Sequence, residues 1–261
     1  MLLSAHAASR PAQARRVTVQ RPLCPSTGVR TVIFTKVISS SSFKAADGTE
    51  VRLAGVLGAG DGGESLSPSQ ADAARAALAS ALRAGPLTLA DIGTRDRYGR
   101  IPAEVFANGI WVQSALLRAG HLRVAPDHAG APCAKLLLEA EAEARDRQAG
   151  HWADGIFALR MPEQIRNSAG HFEILEGTVR QAYLTKGRAT IDFRGSTDFK
   201  ATISTADMKG FREVRFNLRR LTGQRVRLRG WMVSDDGLEM EVATPAAIEF
   251  VDCRRGAPGR C

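Results

Sequence analysis

A strand-turn-strand pattern between residues 37 and 60 predicts the start of a β-rich fold. Apolar residues alternate with polar ones on both sides of an Asp47-Gly48 pair, as is typical of half-buried β-strands. Asp-Gly predicts a two-residue hairpin turn because both positions tolerate positive φ. The pattern predicts strands at 31–38, 42–47 and 50–57. The hairpin therefore delivers Arg52, and a glycine-rich loop at 58–65 that we expect to be mobile, to one place.

Three helices and two further strands are predicted after this loop. A helix over 68–84 begins at Ser67-Pro68-Ser69-Gln70, which matches a capping box with proline at the first helical position. The apolar periodicity then predicts strands at 87–92 and 101–106 and helices at 110–119 and 133–149. The acidic residues of the last helix, Glu139, Glu141 and Glu143, are predicted to form its solvated surface.

Residues 172–252 are predicted to form a second unit. Short β patterns surround one polar, helical segment at 205–221. The predicted strands lie at 172–183, 188–193, 199–203, 224–232, 238–242 and 247–251. So many short strands around one helix favour a small closed or partly open barrel of the OB type.

The net charge of +9 is unevenly distributed along the chain. Residues 1–46 contain seven Lys or Arg and no acid, whereas residues 47–152 contain eleven basic and thirteen acidic residues. Residues 153–261 contain eighteen basic and fourteen acidic residues. We therefore expect any broad electrostatic contact with a polyanion to come from the two flanks of the first unit. No apolar run approaches the roughly 18 residues of a membrane span.

The densest basic zone lies in the second unit, and it predicts contact with the phosphate backbone of DNA or RNA. The candidates are Arg219, Arg220, Arg225, Arg227 and Arg229, with Lys209, Arg212 and Arg215 just upstream. Arg225, Arg227 and Arg229 alternate with apolar residues, so their side chains point from the same face of a strand. The alternative is a solvated strand face and helix surface. Tyr183 and Phe193 are the only platforms that we predict there for base stacking.

Several motifs in order resemble one known family. They are Arg52 on the hairpin, Asp96-Arg97-Tyr98-Gly99-Arg100, Trp111-Val112-Gln113, Leu116-Leu117-Arg118-Ala119-Gly120 and Gly150-His151-Trp152. Together they resemble the thermonuclease, or staphylococcal-nuclease-like, domain over about residues 31–153. The resemblance implies an OB-fold β-barrel with three helices, and hence an α+β chain of two barrels. The second unit resembles, more weakly, the barrel that follows this domain in some bacterial members of the family.

The resemblance also implies a phosphate site without its catalytic acids. In the family, arginines at the positions of Arg52 and Arg100 grip the scissile phosphate, and a tyrosine at the position of Tyr98 lies near it. The calcium-binding and water-activating carboxylates of the family fall here on Ser39-Ser40-Ser41-Ser42 and Leu57-Gly58-Ala59-Gly60. Calcium needs six to eight oxygen ligands, commonly including carboxylates, and a general base must accept a proton. We therefore predict no metal site and no cofactor, unless Asp61 or Glu64 replaces the missing acids.

The remaining segments are predicted to lie outside the two folded units. They are a basic, disordered tail at 1–28, the first unit at 29–155, a linker at 156–171, the second unit at 172–252 and a tail at 253–261. A periplasmic or secreted location would follow if the N-terminus is a truncated signal peptide. Cys253 and Cys261 bracket a turn-rich loop that a disulfide would close in an oxidising compartment, the alternative being four unrelated thiols.

Three functions are consistent with the sequence. The first is a catalytically degenerate thermonuclease-like protein that binds DNA, RNA or another partner without cutting. The second is an active calcium-dependent phosphodiesterase with a rearranged metal site. The third is a scaffolding subunit that uses both barrels for protein contacts. We favour the first, because cleavage needs the carboxylates that are missing, whereas phosphate binding needs only arginines such as Arg52 and Arg100.

Overall fold

The computed structural model of the protein describes residues 29–90, 93–127, 133–196, 198–235 and 237–252. The two predicted tails, together with Cys24, Cys253 and Cys261, lie outside these residues. Within the described chain, no helix is both long enough and apolar enough to cross a membrane.

The first unit is a β-barrel with three helices, as predicted. Its strands are β1 (Val29–Val32), β2 (Phe34–Ser39), β3 (Ser42–Ala45), β4 (Glu50–Leu53), β5 (Val56–Gly58), β6 (Leu87–Ala90), β7 (Ile101–Ala107), β8 (Ile110–Trp111) and β9 (Leu122–Val124). The sheet order is β1-β6-β7-β4-β3-β2, with β4 and β7 parallel. Because only Ile33 separates β1 from β2, the two edge strands belong to one bent strand and the sheet closes on itself. This is the strand order of an OB fold.

The helices of the first unit are α1 (Pro68–Leu82), α2 (Val112–Arg118) and α3 (Ala134–Asp146). The predicted capping box at the start of α1 is confirmed, since Gln70 N–H donates to the Ser67 hydroxyl at 3.3 Å and Ser67 N–H to the Gln70 side chain at 2.9 Å. The two bonds satisfy donors that the first turn of a helix leaves free.

The predicted hairpin is confirmed, but its turn is wider than two residues. Phe43 and Leu53 are fully buried on β3 and β4, and Lys44 pairs with Glu50 in the register. The Asp47 carboxylate accepts the Thr49 N–H at 2.9 Å, and Gly48 has φ +84°. The Asp47 side chain thus organises a longer loop in which only the glycine needs positive φ.

The second unit is a second OB-type barrel. Its elements are β10 (Leu159–Arg160), β11 (Phe172–Thr185), β12 (Arg188–Phe193), β13 (Phe199–Ile203), α4 (Met208–Glu213), β14 (Arg225–Asp235), β15 (Gly237–Glu241) and β16 (Ile248–Phe250). Strands β11 to β15 close a ring in the order β11-β12-β13-β15-β14-β11, with β13 parallel to β15. The segment predicted to be a linker contributes β10, which pairs with β11.

The two barrels share a hydrophobic contact in addition to having separate cores. A third cluster joins Ala144 and Trp152 of the first unit, and Phe157 of the predicted linker, to Phe172 and Ile174 of β11. Trp152 and Phe157 meet edge to face with ring centroids 5.6 Å apart. This contact places one side of the first barrel against the second.

Candidate functional site

The predicted phosphate-binding residues Arg52, Tyr98 and Arg100 lie together, and Asp96 organises them. The turn before β7 is closed by the Asp96 carboxylate, which accepts N–H groups from Tyr98 at 2.9 Å and from Arg100 at 3.0 Å. It also accepts Arg100 Nε at 2.9 Å and lies 3.8 Å from Arg52 Nε. The structure therefore brings both arginines to one carboxylate.

Acidic partners already occupy this arginine pair. Arg52 donates to the Asp127 carboxylate at 2.5 Å, in addition to its contact with Asp96. Burial alone would raise the pKa of Asp96, but hydrogen bonds from Arg100 and Tyr98 and the charge of Arg100 hold it below its usual value. Asp96 thus stays ionised near neutral pH, and a phosphate must compete with Asp96 and Asp127 for the guanidinium groups.

The two candidate replacement acids are bound elsewhere. One Asp61 carboxylate oxygen accepts hydroxyls from Ser39 and Ser40 at 3.0 Å each and from Ser41 at 2.5 Å. Three of the serines that the resemblance aligns with the family's metal-binding motif therefore donate hydrogen bonds to a carboxylate. Their hydroxyls are neutral, so they do not form an anionic ligand set for a metal.

Glu64 binds a buried arginine. Its carboxylate pairs with Arg123 and accepts N–H groups from Gly60 at 3.0 Å and Gly62 at 3.2 Å. The Arg123 guanidinium also lies over the rings of Phe157 and Phe172, at 5.2 and 5.0 Å from their centroids. Glu64 thus neutralises an arginine that packs between the two barrels.

The glycine-rich loop at 58–65 is hydrogen-bonded to the second barrel. Phe172 N–H of the second barrel donates to the Gly62 carbonyl at 2.8 Å. A Cβ on Gly62 would lie 1.8 Å from the Arg123 guanidinium. Gly62 is therefore needed for the close approach of the Arg123 guanidinium.

Of the three predicted arginines of β14, Arg229 faces the first barrel rather than solvent. Arg229 has no exposed side-chain surface, and its guanidinium contacts both carboxylate oxygens of Glu141 at 2.9–3.1 Å. It also contacts Glu249 at 2.5 Å and donates to the Val124 carbonyl at 3.0 Å. Arg227 pairs with Glu176 at 2.6 Å. We therefore assign Arg229 to the barrel interface and not to a nucleic-acid contact.

The prediction that Glu141 is solvent-exposed is wrong. Glu141 was predicted at the solvated surface of α3, but its side chain is fully buried, whereas Glu143 on the same helix is exposed. Complete burial would raise the pKa of Glu141, but Arg229, the Val124 N–H and Arg145 hold it below its usual value. A helix pattern reports which residues share a face, and here a second domain covers the face that carries this acid.

An exposed basic surface lies on the helical segment between β13 and β14. We call it the α4 surface; it comprises Lys209, Arg212, Arg215, Arg219 and Arg220. Lys209 is 3.9 Å from Glu213, and the four arginines form no side-chain hydrogen bond or ion pair with any described residue. Arg225, at the start of β14, is half exposed and pairs with Glu176 at 2.5 Å.

A cleft of about 480 Å³ opens between the barrels beside the arginine pair. Arg52, Arg97, Tyr98 and Arg100 line it from the first barrel, while Trp231 and Glu241 line it from the second. Tyr98 is 64% exposed and Trp231 is 40% exposed. Phe193, one of our two predicted stacking platforms, is instead buried in the core of the second barrel.

The described residues contain no group of three or more His, Cys, Asp or Glu arranged to hold a metal ion. At the positions that the resemblance assigns to the calcium ligands, the side chains present are serine hydroxyls, Leu57, Ala59 and glycines, and Asp61 and Glu64 already have other partners. This donor set does not fit calcium. Cys133, the one cysteine among the described residues, is disulfide-bonded.

Comparison with known proteins matches part of the first barrel to one family. Residues 67–154 match the family model described as staphylococcal nuclease homologue. This part of the first barrel, from α1 through the turn after α3, is therefore similar to staphylococcal nuclease, within a chain that also has a second barrel. The match includes Tyr98 and Arg100 but begins after Arg52, Asp61 and Glu64. A search of curated proteins found no match to the chain.

Proposed function

We propose that this protein binds nucleic acid through its second barrel and does not hydrolyse it by the calcium mechanism of the nuclease family. The observation that supports the proposal most directly is the α4 surface. Arginines at the arginine pair and at the barrel interface, such as Arg52, Arg123 and Arg229, have acidic partners. Four of the five basic side chains on the α4 surface have no acidic partner among the described residues. Unpaired, solvated cations are the groups that neutralise a phosphate backbone and release its counterions.

The chemistry of the first barrel supports binding over cleavage. A metal-assisted nuclease needs carboxylates that are free to hold the ion and a base that is free to accept a proton. Asp61 is surrounded by three serine hydroxyls, and Glu64 neutralises Arg123. Moving either acid to the arginine pair would leave a buried or partly buried group without its partner, which is costly.

The test is the salt dependence of binding to a labelled DNA duplex, measured by fluorescence anisotropy. The slope of log K against log salt is about −0.9 per phosphate contact. We expect Arg219→Ala with Arg220→Ala to weaken binding at low salt and to reduce the slope by about 1 to 2. Arg75→Ala is the matched control, because this exposed arginine of the first barrel pairs with Asp72.

Two results would contradict the proposal. Absence of binding even at low salt would favour a scaffold that contacts proteins. Chelator-sensitive cleavage of DNA with added calcium, lost in Arg100→Ala, would establish a working phosphodiesterase.

A further inference from the structure

We propose that the cleft between the barrels is a base-binding site that selects an unpaired guanine, with the ring on Trp231 and its edge toward Glu241. This inference rests on the proposed function, since it names the part of a nucleic acid that the cleft recognises. It differs in location and chemistry from the α4 surface, which contacts phosphates only.

The first support is the aromatic wall of the cleft. Trp231 lies on β14 with its ring edge to face against the buried Phe172, at a centroid distance of 5.7 Å. This contact fixes the indole while leaving 40% of the residue exposed. An ordered, half-exposed aromatic ring is the usual platform for an unpaired base. The cleft volume of about 480 Å³ is sufficient for a nucleotide.

The second support is an acceptor without a partner beside that wall. Trp231 and Glu241 are directly opposite in the antiparallel register of β14 and β15. Side chains at such positions leave the same face, with Cβ atoms about 4.5–5.5 Å apart. Glu241 is exposed and forms no side-chain hydrogen bond or ion pair with the described residues. Its carboxylate is thus available to a ligand stacked on Trp231.

The third support is the chemistry of that acceptor. An ionised carboxylate only accepts hydrogen bonds. Guanine presents two adjacent donors, N1–H and the N2 amino group, on its Watson–Crick edge. Adenine and cytosine place an acceptor nitrogen next to their amino donor, and uracil flanks its one N–H with carbonyls. Guanine can therefore donate two hydrogen bonds to the Glu241 carboxylate without placing an acceptor atom against it. Only an unpaired base exposes this edge.

The opposite wall supplies the charge for the phosphate of the same nucleotide. Arg97 and Arg100 lie over the Tyr98 ring, at 4.9 and 5.0 Å from its centroid. Arg97 is exposed and has no acidic partner among the described residues. A ligand that crosses the cleft from Arg97 to Glu241 must be anionic at one end and a donor at the other, as a guanine nucleotide is.

The experiment is a titration of the full chain with GMP, AMP, CMP and UMP, followed by tryptophan fluorescence and by calorimetry. We expect GMP to bind best. Trp231→Ala should weaken GMP by about 5- to 150-fold, the range for loss of one base–aromatic stack, and Trp231→Phe should retain most of the affinity. Glu241→Gln should reduce GMP to the level of AMP while leaving AMP unchanged.

The outcomes separate this inference from the proposed function. Trp231→Ala should leave duplex binding and its salt slope unchanged, and Arg219→Ala with Arg220→Ala should leave GMP binding unchanged. Equal binding of the four nucleotides, no binding of GMP, or an unchanged preference in Glu241→Gln would overturn the guanine site even if duplex DNA still binds. GMP binding without duplex binding would overturn only the α4 surface. If Trp231→Ala fails to fold, Trp231→Phe and Glu241→Gln decide the result.

Discussion

Replacing Arg229 by methionine tests whether the two barrels are held together by a buried charge network. The guanidinium and the Glu141 carboxylate are both fully buried, at 0% exposure, and make three N–O contacts of 2.9–3.1 Å. Removing one member of a buried ion pair leaves the other as an uncompensated charge, which costs about 3–5 kcal/mol. Glu141 would keep Arg145 at 3.1 Å and the Val124 N–H at 2.6 Å, so we expect the lower end of that range.

A loss of this size is easily measured. The stability of a typical domain is only about 5–15 kcal/mol, so a loss of about 3 kcal/mol shifts the urea midpoint clearly. Tryptophan fluorescence reports on both barrels, since Trp152 lies in the first and Trp231 in the second. We expect Arg229→Met to unfold earlier, and to separate the barrels into two transitions if the network couples them.

The control is an exposed ion pair of the same barrel. Arg180 is 58% exposed and lies 3.2 Å from Asp192, so Arg180→Met should cost less than about 1 kcal/mol. Combining Arg229→Met with Glu141→Leu removes both buried charges and should recover part of the loss. Our reasoning is refuted if Arg229→Met is no more destabilising than the control.

Two further perturbations follow from the packing. Burial, and to a smaller extent the charge of His151, holds the pKa of His121 below its usual 6.5. As the pH falls, the unfolded chain therefore binds a proton on His121 at a higher pH than the folded chain does. Stability should therefore decrease from about pH 6.5 down toward the lower folded pKa, and His121→Gln should flatten that decrease in urea titrations between pH 8 and 5; an unchanged slope would contradict it. In Gly58→Ala the new Cβ would lie 2.4 Å from the Ser40 hydroxyl, which predicts a loss of about 1–3 kcal/mol. Gly210→Ala, with nothing within 4 Å of its Cβ, should be neutral or stabilising, and equal effects of the two changes on the melting temperature would rule out the steric explanation.

Local chemistry in the sequence was sufficient to predict most elements of both barrels, although not β9 or β10. Alternation around Asp47-Gly48 predicted the hairpin, the capping box fixed the start of α1, and short strands around one helix predicted the second barrel. These features depend on residues within a few positions of one another, so a single sequence contains them. The structure also places Arg52, Tyr98 and Arg100 beside one another, a proximity that the order of motifs in the resembled fold implies.

Which polar groups face solvent depends on tertiary contacts that the local pattern does not contain. The sequence placed Glu141 and Glu143 alike on a helix, yet the second barrel covers one and leaves the other exposed. Arg229 and Trp231 lie two residues apart on β14, and one completes a buried ion network while the other forms a wall of the cleft. Periodicity along a strand or helix tells which side chains share a face. Whether that face meets water or another domain depends on contacts between residues far apart in the chain, such as Glu141 and Arg229.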